Sequence, residues 1–281
     1  MFERILLPLD GSTLGEAILP RIAHILRRED SELLLLRIAQ LEKAAVGRHV
    51  SPPALPDPVM DAHAYLAKIE DRFAAQGARV RSIVDVGSPA ARILDIARRE
   101  DVTLIAMATH GHTGLARSVF GSVSERVLRA SSVPLLLLRS FQEGGSPAPS
   151  EPLTFDRVLV PIADFHLRIL EYVREFAIHF GSKVTLVHVS EPGEDRWAQD
   201  QARAELRLVQ TDLESAGIPT DLRERRGDPA VEILESARDE RAGLIAMTTC
   251  GLAGSTRWAA GSVTEKVLRS ATVPMLVVRN Q

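Results

Sequence analysis

The chain has 281 residues, of which 45% are apolar and 25% charged, with a formal net charge of −3 and one cysteine. This is room for two soluble globular domains of ordinary size, each with a core of its own. Interspersed charges of both signs argue against a nucleic-acid track or an electrostatic membrane anchor, and the lone Cys250 excludes an intrachain disulfide framework and a cysteine-pair zinc site.

In chain order, the apolar run after Met1-Phe2-Glu3 is too short for a signal peptide or a membrane span, so a cytoplasmic protein is expected. Arg4 to Pro8 reads as a strand, and after Leu9-Asp10-Gly11-Ser12 a helix is predicted over Thr13 to Arg28. Glu32 to Ala39 is a second strand. Pro52, Pro53, Pro56 and Pro58 then mark an irregular loop from about Gln40, and a helix follows over Pro58 to Gln76. Strands over Arg79 to Val84, Thr103 to Ala108 and Pro134 to Leu138 alternate with helices over Pro89 to Arg99 and Ser122 to Ala130. Ser88 is read as an N-cap with Pro89 at the first helical position, and Ser122-x-x-Glu125 as a capping box.

The pattern then repeats. Met107 to Arg139 aligns without a gap on Met247 to Arg279, with 16 of 33 positions identical. At the same offset Gly87-Ser88-Pro89-Ala90 meets Gly227-Asp228-Pro229-Ala230, with Asp228 as N-cap and Ser262-x-x-Glu265 as a second capping box. Ile5 to Pro8 meets Val158 to Pro161 at an offset of 153 rather than 140, so the first copy carries 13 extra residues, placed between about Gln40 and Pro58. Gln142 to Pro152, rich in Gly, Ser and Pro, reads as a linker. The charged segment from about Glu194 to Ala216, with Trp197 near its start, reads as an amphipathic helix covering the sheet. Strand and helix thus alternate twice, an α/β class with parallel strands that are apolar on both faces, and ligands are expected at the strands' carboxyl ends, at the topological switch point.

Two segments leave strand carboxyl ends with unusual chemistry. Asp10 can accept from an amino or ribose hydroxyl group, or act as a turn residue before the helix. From Thr109 to Gly121, the glycines Gly111, Gly114 and Gly121 let backbone approach a ligand, and the N–H groups of Ser122, Val123 and Ser124 at a helix start form an anion site. A helix terminus contributes about 0.3 to 2 kcal/mol, whereas micromolar affinity needs roughly 8, so a buried base and further hydrogen bonds are required. There is no Gly-x-x-x-x-Gly-Lys-Ser/Thr and no Gly-x-Gly-x-x-Gly, hence no evident phosphoryl-transfer machinery. His110-Gly111-His112 lacks a third metal ligand at a recognisable spacing, and Cys250 has no general base beside it in sequence.

Met107-Ala108-Thr109-His110-Gly111, nine residues, then Gly121-Ser122-Val123-Ser124-Glu125 and Val133-Pro134 to Arg139 resemble the universal stress protein family, twice over nearly the whole chain. The resemblance implies two tandem five-stranded parallel-sheet domains, Rossmann-like and similar to adenine nucleotide alpha hydrolases, at 1–141 and 153–281 with a linker at 142–152. It implies ATP as ligand, with Pro8, Leu9, Asp10 and Ile38 on the adenine and ribose side and Met107, Ala108, Thr109, Gly111, Gly121, Ser122 and Val123 toward ribose and phosphates. Ala108 stands where the pattern has its first glycine and His112 where a cation is common, for which Arg117 is the substitute. Any Mg2+ or Mn2+ is expected to be held by the phosphates. In the second copy Ala163, Thr248 and Cys250 replace the Asp, the first glycine and the histidine, while Gly251, Gly261 and Ser262 persist, so a degenerate site is expected. Relatives pair through the final strand, which implies an internal pseudo-dimer, further homodimers and an unidentified protein partner. A regulatory ATP-binding module is thus the leading reading, with a slow ATPase or a nucleotide-free interaction protein as alternatives.

Overall fold

A computed structural model describes residues 1–26, 31–39, 58–109, 121–139, 154–162, 168–190, 193, 196–249 and 263–279. The loop at 40–57, the linker, and 110–120 with Gly111 and Arg117 lie outside them, as do Ala163 and 250–262.

In the first half, β1 (Arg4–Pro8), β2 (Glu32–Ala39), β3 (Arg79–Val86), β4 (Leu104–Ala108) and β5 (Leu135–Leu138) alternate with helices, namely α1 (Thr13–Glu16), α2 (Leu19–Ile25), α3 (Pro58–Ala74), α4 (Pro89–Arg99) and α5 (Ser122–Ala130). The second half repeats this with β6 (Arg157–Pro161), α6 (Arg168–Phe180), β7 (Lys183–Ser190), α7 (Arg196–Ser215), β8 (Thr220–Arg226), α8 (Pro229–Asp239), β9 (Leu244–Thr249), α9 (Val263–Ser270) and β10 (Met275–Arg279). The strands form one sheet in the order β3-β2-β1-β4-β5-β10-β9-β6-β7-β8. Each half is parallel, and the two meet where β5 runs antiparallel to β10. That register pairs Leu136 with Leu276, residues equivalent in the repeat, so the junction is self-complementary.

The sheet is buried on both faces, as its continuous apolar strands require. Leu33, Leu35, Ile22, Leu66, Val173 and Leu213 belong to the core under α2, α3, α6 and α7, whereas Leu34, Leu36, Ile93, Val127, Ile233 and Val267 belong to that under α4, α5, α8 and α9. On the first face an aromatic cluster ties the halves together. Phe2 and Phe155, equivalent residues just before β1 and β6, both pack on Phe176 and Phe180 of α6, with centroids 4.7 to 5.8 Å apart, and His179 stacks on Phe2 at 4.4 Å. Arg139 reaches across the junction to donate to the Ala271 carbonyl at 2.8 Å.

Three sequence expectations are corrected. The helix over Thr13 to Arg28 is two helices, α1 and α2, because Pro20 has no N–H to bond back to Glu16; the break falls at Ala17-Ile18. The capping box at Ser122 does not form: Gly121 is the N-cap, Ser122 is the first helical residue, and Glu125 pairs with Arg129. Ser88 is an N-cap by backbone but makes no side-chain cap bond, whereas Asp228 accepts from Ala230 and Val231 N–H. Finally, not all 13 extra residues lie after Gln40. The registers Arg4↔Glu32 and Arg157↔Lys183 show that the first half is already two residues longer between its first two strands.

At the starts of the strands both halves carry ion pairs. Arg81 meets Glu100 at 2.8 Å and Arg4 meets Glu32 at 2.8 Å, while Lys183 meets Asp221 at 2.7 Å and Arg223 meets Glu240 at 2.6 Å. Guanidinium and ammonium groups hold Glu100 and Asp221 below the usual carboxylate range.

Candidate functional site

The carboxyl ends of β1 and β4 are neighbours at the point where strand order reverses, β2 and β3 lying to one side and β5 to the other. A crevice opens there in any sheet of this kind. Pro8 is the last residue of β1, and Leu9 continues its pairing by donating to the Leu36 carbonyl at 2.8 Å. Asp10 therefore leaves the sheet at the crevice. Ile38 and Val123 pack over the same core from β2 and α5.

On the β4 side, Gly121 N–H donates to the Thr109 carbonyl at 2.8 Å and Ser124 Oγ donates to the Ala108 carbonyl at 3.0 Å. These bonds clamp the start of α5 against the end of β4. A Cβ on Gly121 would lie 3.1 Å from the Thr109 oxygen, so glycine is what permits this approach. The first-turn N–H groups of Ser122, Val123 and Ser124 have no intrahelical partner, and the helix dipole makes that end electropositive. Met107 and Leu9, by contrast, bury their side chains in the two cores, so only their backbone faces the crevice end.

A polar cluster not singled out from sequence rims the β1–β2 side. Arg37 Nη1 donates to the Leu9 carbonyl at 3.3 Å, its guanidinium carbon lies 5.5 Å from the Tyr65 ring centroid, and it lies against Gly11, which has φ +73°. Burial, then the neighbouring Glu16 carboxylate, push the Tyr65 phenol above its ordinary value. In the second half His188 occupies the place of Arg37, its Nδ1 lying 3.3 Å from the Ile162 carbonyl. Aligning the halves through β2 and β7 exposes that pair, whereas the offsets used for the loops do not.

The second half also keeps the clamp at its other strand end. Thr264 Oγ1 donates to the Thr248 carbonyl at 3.0 Å, matching Ser124 on Ala108. The expected losses at Ala163 and Cys250, and the glycines Gly251 and Gly261, lie outside the described residues. Among the described residues there is no group of three His, Cys, Asp or Glu able to hold a metal ion, and no helix long and apolar enough to cross a membrane.

Comparison with known proteins gives one consistent result. A sequence model of the universal stress protein family matches residues 1–139 and again 154–279. Universal stress protein YxiE of Bacillus subtilis is 26% identical over 148 residues, 50% of this chain and 100% of that protein. A universal stress protein of Methanocaldococcus jannaschii is 28% identical over 144 residues, 50% of this chain and 83% of that one. A crystal structure of a universal stress protein from Archaeoglobus fulgidus covers 100% of both chains at 25% identity, with a TM-score of 0.79.

Proposed function

The chain belongs to the universal stress protein family, and from that premise we propose that its first half binds ATP as a regulatory module of a stress response, while its second half holds a degenerate site. In this reading the domains are 1–141 and 153–281, the setting is cytoplasmic, and an unidentified protein partner responds to the nucleotide-bound state. The observation that supports the proposal is that β1 and β4 are neighbours where the strand order reverses, with Asp10 following β1 and the clamped Thr109–Gly121 junction following β4.

The residues fit the nucleotide. A phosphate chain needs backbone N–H donors and close approach, which Ser122, Val123 and Gly121 supply. Ile38 offers an apolar surface to a base, and Asp10 a carboxylate to ribose or amino hydrogens. When bound, ATP would bring a transferable terminal phosphate and a negative charge for the N–H groups at the start of α5. Among the described residues, the cation on the β1–β2 rim, Arg37, donates to the Leu9 carbonyl. A divalent ion would be held by phosphate oxygens and water.

Denaturing the purified protein and chromatographing what it releases tests the reading. Adenine nucleotide released from the wild type and not from Asp10→Ala supports it. A protein that carries none and takes up none at about 1 mM ATP overturns it.

A further inference from the structure

Asp10 is seated by two near neighbours. Its Oδ1 accepts from Ser12 N–H at 3.0 Å and from Ser12 Oγ at 2.6 Å, and the same Oγ accepts Gly15 N–H at 2.9 Å. Gly15 is buried one turn into α1, with its Cα turned toward that carboxylate. A Cβ built there would lie 2.6 Å from Asp10 Oδ1 and 3.2 Å from Ser12 Oγ. Carbon and oxygen meet comfortably at about 3.3 to 3.6 Å, so any side chain at position 15 moves the carboxylate and strains both of its bonds to Ser12.

Glycine is not at this position for its backbone. Gly15 lies in a helix, without the positive φ that marks Gly11, and there alanine is the better residue. What glycine provides is space for the carboxylate. In the second half Ala163 stands opposite Asp10 at the offset that aligns Pro8 with Pro161, and the serine and glycine are missing as well. Between Pro161 and Arg168 it reads Ile-Ala-Asp-Phe-His-Leu, with neither serine nor glycine. The segment is two residues shorter, and α6 has no proline to separate a first turn from the rest. No serine or glycine stands in that segment to match Ser12 and Gly15.

We infer that Gly15 is a positioning residue for Asp10, holding with Ser12 the carboxylate in one orientation before a ligand arrives. The inference rests on the reading that Asp10 receives the nucleotide, but the seat exists without nucleotide and can be measured without it. Asp10 remains the binding residue; Gly15 acts through it.

The test uses the full chain as Gly15→Ala, Asp10→Ala and the double variant, with three readouts. Amide exchange at Ser12, measured by NMR without nucleotide, should quicken in Gly15→Ala. The Kd for ATP should rise about tenfold in Gly15→Ala and no further when Gly15→Ala is added to Asp10→Ala. The melting temperature should shift by no more than a few degrees, since alanine's helix preference offsets part of the strain at Ser12. Unchanged exchange at Ser12 overturns the seat. So does an ATP loss from Gly15→Ala that is as large without Asp10 as with it. If Asp10→Ala leaves the ATP Kd unchanged, the nucleotide reading fails at Asp10, and Ser12 exchange still decides whether Gly15 seats that carboxylate.

Discussion

In the first half, β1 hands over to Asp10, then to a four-residue helix, and only after the break before Pro20 to the helix that covers the sheet. In the second half the segment after β6 is two residues shorter, and the described helix Arg168–Phe180 contains no proline. On the opposite wall, one described bond is shared: Ser124 on the Ala108 carbonyl and Thr264 on the Thr248 carbonyl, both at 3.0 Å. Clamping a helix start against a strand end is therefore part of the shared scaffold, and the chemistry that distinguishes the halves sits at the end of the first strand. The rim differs too, with a permanent guanidinium at Arg37 and an imidazole at His188.

Separating the halves would break this comparison most severely, because it assumes one folded unit. Phe176 is fully buried and touches both Phe2 and Phe155. Phe176→Ala should cost about 3 to 5 kcal/mol, and calorimetry should show one transition at lower temperature. Two separate transitions, one unmoved, would mean that the halves are energetically independent.

A smaller effect sharpens the contrast between the sites. Asp10→Ala should weaken ATP binding by about 1.5 to 3 kcal/mol, roughly tenfold to a hundredfold, in isothermal titration. The reciprocal Ala163→Asp should create no second site, because the second half has no counterpart of Ser12 or Gly15 to seat the new carboxylate. A tight second site in that variant would show that the carboxylate alone made the difference.

The shared wall gives a matched pair. Ser124→Ala and Thr264→Ala each remove one hydrogen bond from a buried side chain to a strand-end carbonyl. Each should cost about 1 kcal/mol in urea unfolding. Unequal losses would show that the clamps are not equivalent.

The smallest effect concerns the strand starts. Glu100 and Asp221 have their pKa values lowered in the folded state, first of all by hydrogen bonds from Arg81 and Lys183. Their stabilisation is complete above the unfolded carboxylate pKa, near 4, and is lost as pH falls through the lower folded values. These pairs are partly exposed, so each contributes about 0.2 to 1 kcal/mol. Urea midpoints should be flat from pH 7 to about 5 as far as these groups act, and fall below about pH 4. Glu100→Gln and Asp221→Asn should flatten that fall to similar extents.

Much of this was legible in the sequence because local signals agreed. Strand runs such as Leu33 to Leu36, bounded by polar residues and followed by Pro-initiated helices, leave little choice of element, and the repeat confirms each assignment in its twin. The apolar run Leu135 to Leu138 marks an edge that must be covered, and β10 lies on it. What escaped depends on distant residues or on competing local rules. Pro20 breaks the helix inside a strong apolar period that by itself favours one continuous helix. Ser122 matched a capping box, but the tie of Gly121 to Thr109 sets the helix start one residue earlier. The contact of Phe2 with α6 joins residues some 175 apart, and no local pattern announces it. Of the candidate site, Asp10 and Gly121 to Val123 are proposed from motif and strand end, and Ile38 only from the family resemblance. The role of Gly15 could not be read that way, since it is visible only in how close a Cβ on it would come to a carboxylate five residues earlier.

The central claim is that two alike halves bind nucleotide unequally, and native mass spectrometry of the full chain at saturating ATP tests it most directly. The account predicts one nucleotide per chain, lost in Asp10→Ala. Two per chain, or one that survives Asp10→Ala, would contradict it.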